Sequence, residues 1–294
     1  MEIELRLDAV IVAVTDDEPR LLVTRDPDTG RSRVPSTNLR DELTLDRAMR
    51  RAIEEQTGLQ VHYAEQLYTF GDLGRQPDDA SVRTVSVAYL AVVQESQPAP
   101  GAEWSEYYRV LPWEDHRSGR PQVVGEAVLP ALHAWAGDDA ERSARVAVAF
   151  GDPFDGVRVL DRYELLYEAR LVGEWWNDRS RESSARLFGD TMFLDGRRIA
   201  ATALGRLRGK LSYRPVVFDL LGESFTLLQL QRCVAALAGV RLHKQNFRRL
   251  VERAGLVEGT GERASRGGRP AELFHYRPEV QLERSRPGVG QPYR

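Results

Sequence analysis

The sequence predicts an α+β chain. A mixed sheet with flanking helices is joined by a helical connector to a C-terminal winged helix-turn-helix. Three observations carry that expectation. Val- and Ile-rich runs alternate with amphipathic stretches through residues 1–137. A helix, turn, helix and basic hairpin pattern occupies residues 220–276. The net charge of -3 also hides a division: residues 197–294 hold 19 Lys or Arg against 8 Asp or Glu, a net of +11, so residues 1–196 carry -14. A basic module on an acidic body suits a polyanionic partner for the C-terminal part alone.

The 294 residues suffice for two or three domains with real cores. We expect residues 1–137 to form the sheet domain, 138–195 the connector with a possible dimer contact, 196–280 the winged helix-turn-helix, and 281–294 an irregular basic tail. In the first part, residues 7–14 and 20–24 read as strands around a turn at 16–19. Residues 41–56 predict a helix packed through Leu43, Leu45, Ala48, Met49, Ala52 and Ile53 and stopped by Gly58. Residues 60–70 and 82–94 read as strands, the second the strongest such signal in the chain, and 104–111 as a further strand. Residues 124–135 predict a helix.

In the connector, residues 138–148 predict a helix capped by Asp138 or Asp139, and 157–176 a single long amphipathic helix. Residues 197–211 predict a helix with Ile199, Ala203, Leu207 and Leu211 inside and Arg198, Arg206, Arg208 and Lys210 facing outward, available to phosphates.

The C-terminal pattern is the most informative. Thr226 stands where an N-cap belongs, with Gln229 three residues on to close a capping box. Leu227, Leu228, Leu230, Val234 and Leu237 give an apolar stripe that Gly239 ends. The next helix keeps Phe247, Leu250 and Val251 for packing and turns Lys244, Gln245, Asn246, Arg248 and Arg249 outward. Gln245 and Asn246 suit adenine edges, and the cations suit guanine or phosphate. Short strands at 256–257 and 273–276 frame a Gly-rich loop, where Arg266 and Arg269 fit a wing touching the backbone or minor groove. The bland account is a helical hairpin with a solvated basic face.

Cys233 is the single cysteine, expected in buried packing, so no intrachain disulfide framework exists. His62, His116 and His133 have no spacing that suggests a triad or metal site. The acidic start MEIELRLDAV predicts no signal peptide and no stretch has membrane length, so the expectation is a cytoplasmic protein.

Residues 37–59, TNLRDELTLDRAMRRAIEEQTGL, resemble the loop-helix-loop box of a Nudix domain. That box runs Gly, a Glu six residues on, then Arg-Glu-apolar-x-Glu-Glu-x-Gly-apolar. Aligned on Gly58 and Leu59, the chain keeps Arg51, Ile53 and Glu55, and has Thr37, Leu43, Ala52 and Gln56 where the family has Gly, Glu, Glu and Glu. On a helix advancing about 100 degrees per residue, positions 52, 55 and 56 share roughly one third of the circumference. Three carboxylates there hold a divalent metal beside a diphosphate in such enzymes; here Glu55 alone remains. Glu54 projects from nearly the opposite side, and Glu42 sits one position before the expected acid.

The segments RRIAATALGRLRGKLSYRPVVFDLLGESFTLLQLQ, LHKQNFRRLVERAGLVEGTG and GGRPAELFHYR resemble the C-terminal half of the NrtR-like Nudix-related transcriptional regulators, with Asp195–Gly196 where that family often has Asp-His. The resemblance implies a homodimeric repressor of NAD-metabolism or related genes on a palindromic duplex operator. It also implies ADP-ribose or a similar nucleotide as effector, bound without catalysis and without a required cofactor or metal around Arg51, Glu55 and Gln56, and releasing DNA. The alternative it leaves open is a Mg-dependent pyrophosphatase acting on ADP-ribose or another nucleoside diphosphate derivative.

Overall fold

A computed structural model describes residues 2–39, 44–77, 82–183, 187–212, 214–264 and 270–279. Strand β1 (Glu2–Thr15) is the axis of the molecule. It runs into β2 (Glu18–Arg25) through a two-residue turn at Asp16 and Asp17, whose φ values of 52° and 65° are those a type I′ hairpin needs. Strand β3 (Ser32–Arg33) pairs with β2, and β4 (Ser36–Asn38) pairs antiparallel with β1.

Helix α1 (Leu45–Thr57) starts where the Thr44 side chain accepts from the Arg47 amide and ends at Gly58, left-handed at φ 71°. Strand β5 (Tyr63–Phe70) pairs antiparallel with β6 (Val82–Val92), which lies parallel to β1 from Glu2↔Val82 to Val12↔Val92. Strand β7 (Ala102–Glu106) closes on β2. The sheet is therefore mixed, as its sequence pattern predicts.

Both faces of β1 are covered, which is why its centre reads as continuous apolar residues and not as an alternation. Leu7, Ala9 and Ile11 meet Ala48, Met49 and Ile53 of α1. Val10 and Val12 point the other way, into a larger core that continues to Leu256. That second face is roofed by helices from the rest of the chain. They are α2 (Tyr107–Val110), a π turn (Val124–Val128) leading into α3 (Leu129–Ala136), α4 (Ala140–Phe150), α5 (Val159–Glu168), α6 (Gly173–Asn177) and α7 (Gly196–Leu211). A 3-10 turn (Val216–Leu220), α8 (Leu227–Ala238), α9 (Lys244–Ala254) and the hairpin β8 (Val257–Ala264) and β9 (Ala271–Tyr276) complete the chain.

Four expectations change. The strand expected at 104–111 ends at Glu106 and gives way to α2, because Tyr107, Tyr108 and Val110 are all buried by the helical layer, a contact no local pattern announces. The long helix expected at 157–176 is two helices. Arg170 takes φ 63°, and the Leu171 and Arg170 amides donate to the Leu166 and Tyr167 carbonyls in a Schellman closure. Among the cations of α7, Arg206 faces out, whereas Arg208 is fully buried and Lys210 is bound to Glu65 and the Tyr63 hydroxyl. Arg198 is engaged by Glu164 and by Asp72. These side chains answer acids on distant segments and not solvent. Leu228, expected in the packing stripe, is 46% exposed.

One buried ionic cluster joins three parts of the chain. Glu114, in the loop after α2, accepts from Arg162 Nε at 2.6 Å and Nη2 at 2.8 Å, and from Arg208 Nη1. The three side chains are 0–1% exposed. The remaining guanidinium protons go to carbonyls: Arg162 to Ala149 and Asp155, Arg208 to Gly156 at 3.0 Å and to Leu237 of α8 at 2.9 Å. Burial pushes the Glu114 carboxyl up, but the two guanidiniums outweigh it and hold the group below the usual carboxylate range. Beside this cluster, the His116 ring stacks on Phe154 at 3.7 Å.

Two outcomes follow from the cluster. Glu114→Ala leaves two buried arginines without their carboxylate and lowers unfolding stability by about 3–5 kcal/mol in a urea melt. Burial pushes the His116 imidazole down from 6.5 to about 4, against the opposing pull of Glu114. The stability that neutral His116 contributes is thus full above about 6.5 and is lost as pH falls toward 4. The stability gap between wild type and His116→Asn should narrow over that interval in pH-stepped melts.

Candidate nucleic-acid interface and nucleotide box

The expected reader is assembled as a unit. The Thr226 amide donates to Gln229 Oε1 at 2.7 Å, and the Gln229 amide returns to Thr226 Oγ1 at 3.2 Å, closing the capping box. Leu230, Cys233, Val234 and Leu237 bury the inner face of α8. Gly239 ends it at φ 67°, and a Cβ there would lie 2.3 Å from Arg208 Nη2 and 2.4 Å from the Glu114 carbonyl, so no other residue fits. The same turn is fastened to the sheet domain: the His116 amide donates to the Gly239 carbonyl at 2.7 Å and the Tyr108 hydroxyl to the Ala236 carbonyl at 2.5 Å.

Helix α9 is anchored by buried Phe247 and Val251, with Ala254 packed beside them, while Leu250, expected to dock inward, is only half-buried. Lys244, Gln245, Asn246, Arg248 and Arg249 are all exposed, so one helix presents five long polar side chains outward. Strands β8 and β9 pair from Val257↔Tyr276 to Ala264↔Ala271 around a register shift between Gly259 and Arg263, a longer wing than its short apolar ends announce, because Glu258, Gly259 and Arg263 pair without apolar content. Reciprocal amide bonds between Phe225 and Phe274, at 2.9 and 2.8 Å, tie the wing to the start of α8. Arg266 and Arg269, at the expected wing tip, lie outside the described residues, as does the tail from 281. Pattern reading passed over Arg232 and Arg241, which line a furrow of about 570 Å³ with Lys244. Spacing alone ties neither to the second helix.

The nucleotide box is placed differently. Arg51 and Glu55 stand on the solvent side of α1, 3.6 Å apart and more than half exposed. Gln56 turns away from them. Its Nε2 donates to the Ser36 carbonyl at 2.7 Å and its Oε1 accepts from the Ser36 amide at 3.3 Å, clamping α1 to β4. Ala52 is 7% exposed, packed under the helix. The box is thus a poor fit for a divalent cation: one acid remains, the second position is a buried methyl, and the third is an amide spent on backbone. Glu42 lies outside the described residues, and among those described no group of three or more His, Cys, Asp or Glu side chains is placed to hold a metal. None of their helices is long and apolar enough to cross a membrane.

Comparison with known proteins decides what the two halves are. Residues 5–128 match the NUDIX domain, and residues 217–276 match the NrtR DNA-binding winged helix domain. The chain joins a Nudix domain to an NrtR-type winged helix. A curated relative, the ADPR responsive transcriptional repressor NtrR of Acinetobacter baylyi, is 35% identical over 74 residues, which span 25% of this chain and 30% of that protein. The crystal structure of Shewanella oneidensis NrtR complexed with a 27mer DNA superposes with a TM-score of 0.59 at 20% identity, covering 95% of each chain. A MutT/nudix family protein from Enterococcus faecalis gives 0.57 at 17% identity over 94% of this chain and 87% of its own. At those identities the likeness concerns the fold: a Nudix sheet and a winged helix in one chain.

The clamp makes a prediction. Gln56→Glu restores a family acid but removes the donor to Ser36 and sets a carboxylate against its carbonyl. We expect a loss of about 1–3 kcal/mol in a denaturant melt and no gain in Mg²⁺ affinity by titration calorimetry.

Proposed function

We propose that this chain is a DNA-binding transcriptional repressor whose Nudix domain senses ADP-ribose or a related nucleotide without hydrolysing it. The observation that carries the reading is α9: five polar side chains point outward from a helix held by two buried anchors, beside a wing. Gln245, Asn246, Arg248 and Arg249 read base edges in the major groove, and Lys244 holds phosphate. Arg266 and Arg269, outside the described residues, are assigned to the contact of the wing with backbone or minor groove. The protein acts in the cytoplasm as a homodimer on a palindromic operator of NAD-metabolism or related genes. The name of the Acinetobacter relative and the acid-poor box both support this assignment.

Coupling between sensing and reading follows from the packing. The turn that aims α9 is bonded to Tyr108, Glu114, through Arg208, and His116, all in the Nudix domain. A nucleotide that binds one placement of residues 107–116 more tightly than another shifts the turn with it. Arg51, Glu55 and the clamp at Gln56 contribute to the nucleotide site in this reading.

Duplexes selected from a random library test the proposal by mobility shift. Added ADP-ribose should release the bound DNA, with no turnover in excess Mg²⁺; sustained hydrolysis lost on Glu55→Gln would establish the enzyme instead. Gln245→Ala should lose about 1–3 kcal/mol of discrimination at one base pair. Lys244→Gln should weaken all duplexes alike and flatten the salt dependence by roughly one ion.

A further inference from the structure

The furrow beside α9 has one wall from each domain. On the winged-helix side stand Arg232 of α8, Arg241 of the turn and Lys244 at the head of α9. Facing them is the β1–β2 turn of the Nudix domain, where Asp17 Oδ2 lies 3.4 Å from Arg232 Nη1. Three consecutive acids, Asp16, Asp17 and Glu18, form this turn and its edge.

The Asp17 carboxylate is not needed to build the turn. Arg117 already holds it, donating through Nη1 to the Asp17 carbonyl and through Nη2 to both Glu18 oxygens at 2.8 Å, while its Nε binds Asp115 at 2.8 Å. The conformation at residue 17 needs φ 65°, which Asn adopts as readily as Asp. What remains for the carboxylate is Arg232. Both side chains are about half exposed, 56% and 48%, so the pair is weak and exchangeable. The side chains of Arg241 and Lys244, by contrast, are exposed and make no hydrogen bond or ion pair among the described residues.

We propose that Asp17 is a built-in competitor for DNA: it holds on Arg232 the place that a backbone phosphate takes when a duplex lies along this furrow. The inference rests on the DNA-binding reading above and adds Arg232 and Arg241 to the phosphate-contacting surface. Duplex entry exchanges a carboxylate for a phosphate at Arg232 and brings the strand within a Debye length, about 10 Å, of an acidic turn. The Nudix domain thereby lowers the affinity of the winged helix for DNA and lowers the salt concentration at which the duplex is released.

The test uses the full chain and a fluorescein-labelled mixed-sequence duplex of about 30 base pairs, followed by anisotropy over a series of KCl concentrations. Four proteins are compared: wild type, Asp17→Asn, Arg232→Gln and the double variant, each checked for an unchanged melt. Asp17→Asn should bind about threefold tighter, because Arg232 no longer gives up a carboxylate to meet phosphate, with a log–log salt slope that changes by less than about one ion. Arg232→Gln should bind more weakly, and adding Asp17→Asn to it should recover only a minor part of that gain. Unchanged affinity for Asp17→Asn, or the full gain in the Arg232→Gln background, overturns the competition while leaving the DNA reading intact. Failure of all four folded proteins to hold any duplex at low salt overturns both.

Discussion

Glu114 is the constraint on which the arrangement depends. A carboxylate at 0% exposure is tolerated only because two guanidiniums reach it, and each arginine arrives from a different part of the chain. Arg162 fixes α5, and Arg208 fixes α7 and, through the Leu237 carbonyl, the end of α8. Because the carboxylate accepts from both arginines and the arginines donate to five carbonyls besides, the three segments share one geometry. Gly239 follows from the same cause: the arginine and the Glu114 carbonyl come so near the turn that a side chain has no room.

This is why the Nudix sheet and the winged helix meet as one packed body and not as beads on a linker. Val10 and Val12 of β1 belong to the same buried cluster as Leu230 of α8 and Val251 of α9. The Nudix sheet thus gives its second face to the reader. Its first face keeps the box helix, where Ala52 is buried and Gln56 is clamped to the Ser36 backbone.

What the sequence made legible was local. The Thr226–Gln229 capping box, the Gly239 and Gly58 stops and the outward polar set of α9 all depend on neighbours within four residues, and each stands where the pattern placed it. What it concealed was long-range. Arg208 meets Glu114 across 94 residues and Lys210 meets Glu65 across 145, so a helix that reads as a solvated basic face is an internal brace. Arg170 in a left-handed conformation gave no glycine to mark the break after α5. The Gln56 clamp was likewise invisible, since only the fold brings Ser36 beside it.

The sheet domain and the winged helix form one cooperative unit joined at the helix-turn-helix turn. Hydrogen exchange of the intact chain, followed by mass spectrometry, tests it most directly. The account predicts that peptides spanning α8 and its turn exchange with the same slow, global-unfolding behaviour as β1 and β6, and that Glu114→Gln accelerates both together. Fast independent exchange of α8 and the turn, with β1 and β6 still protected, would contradict it.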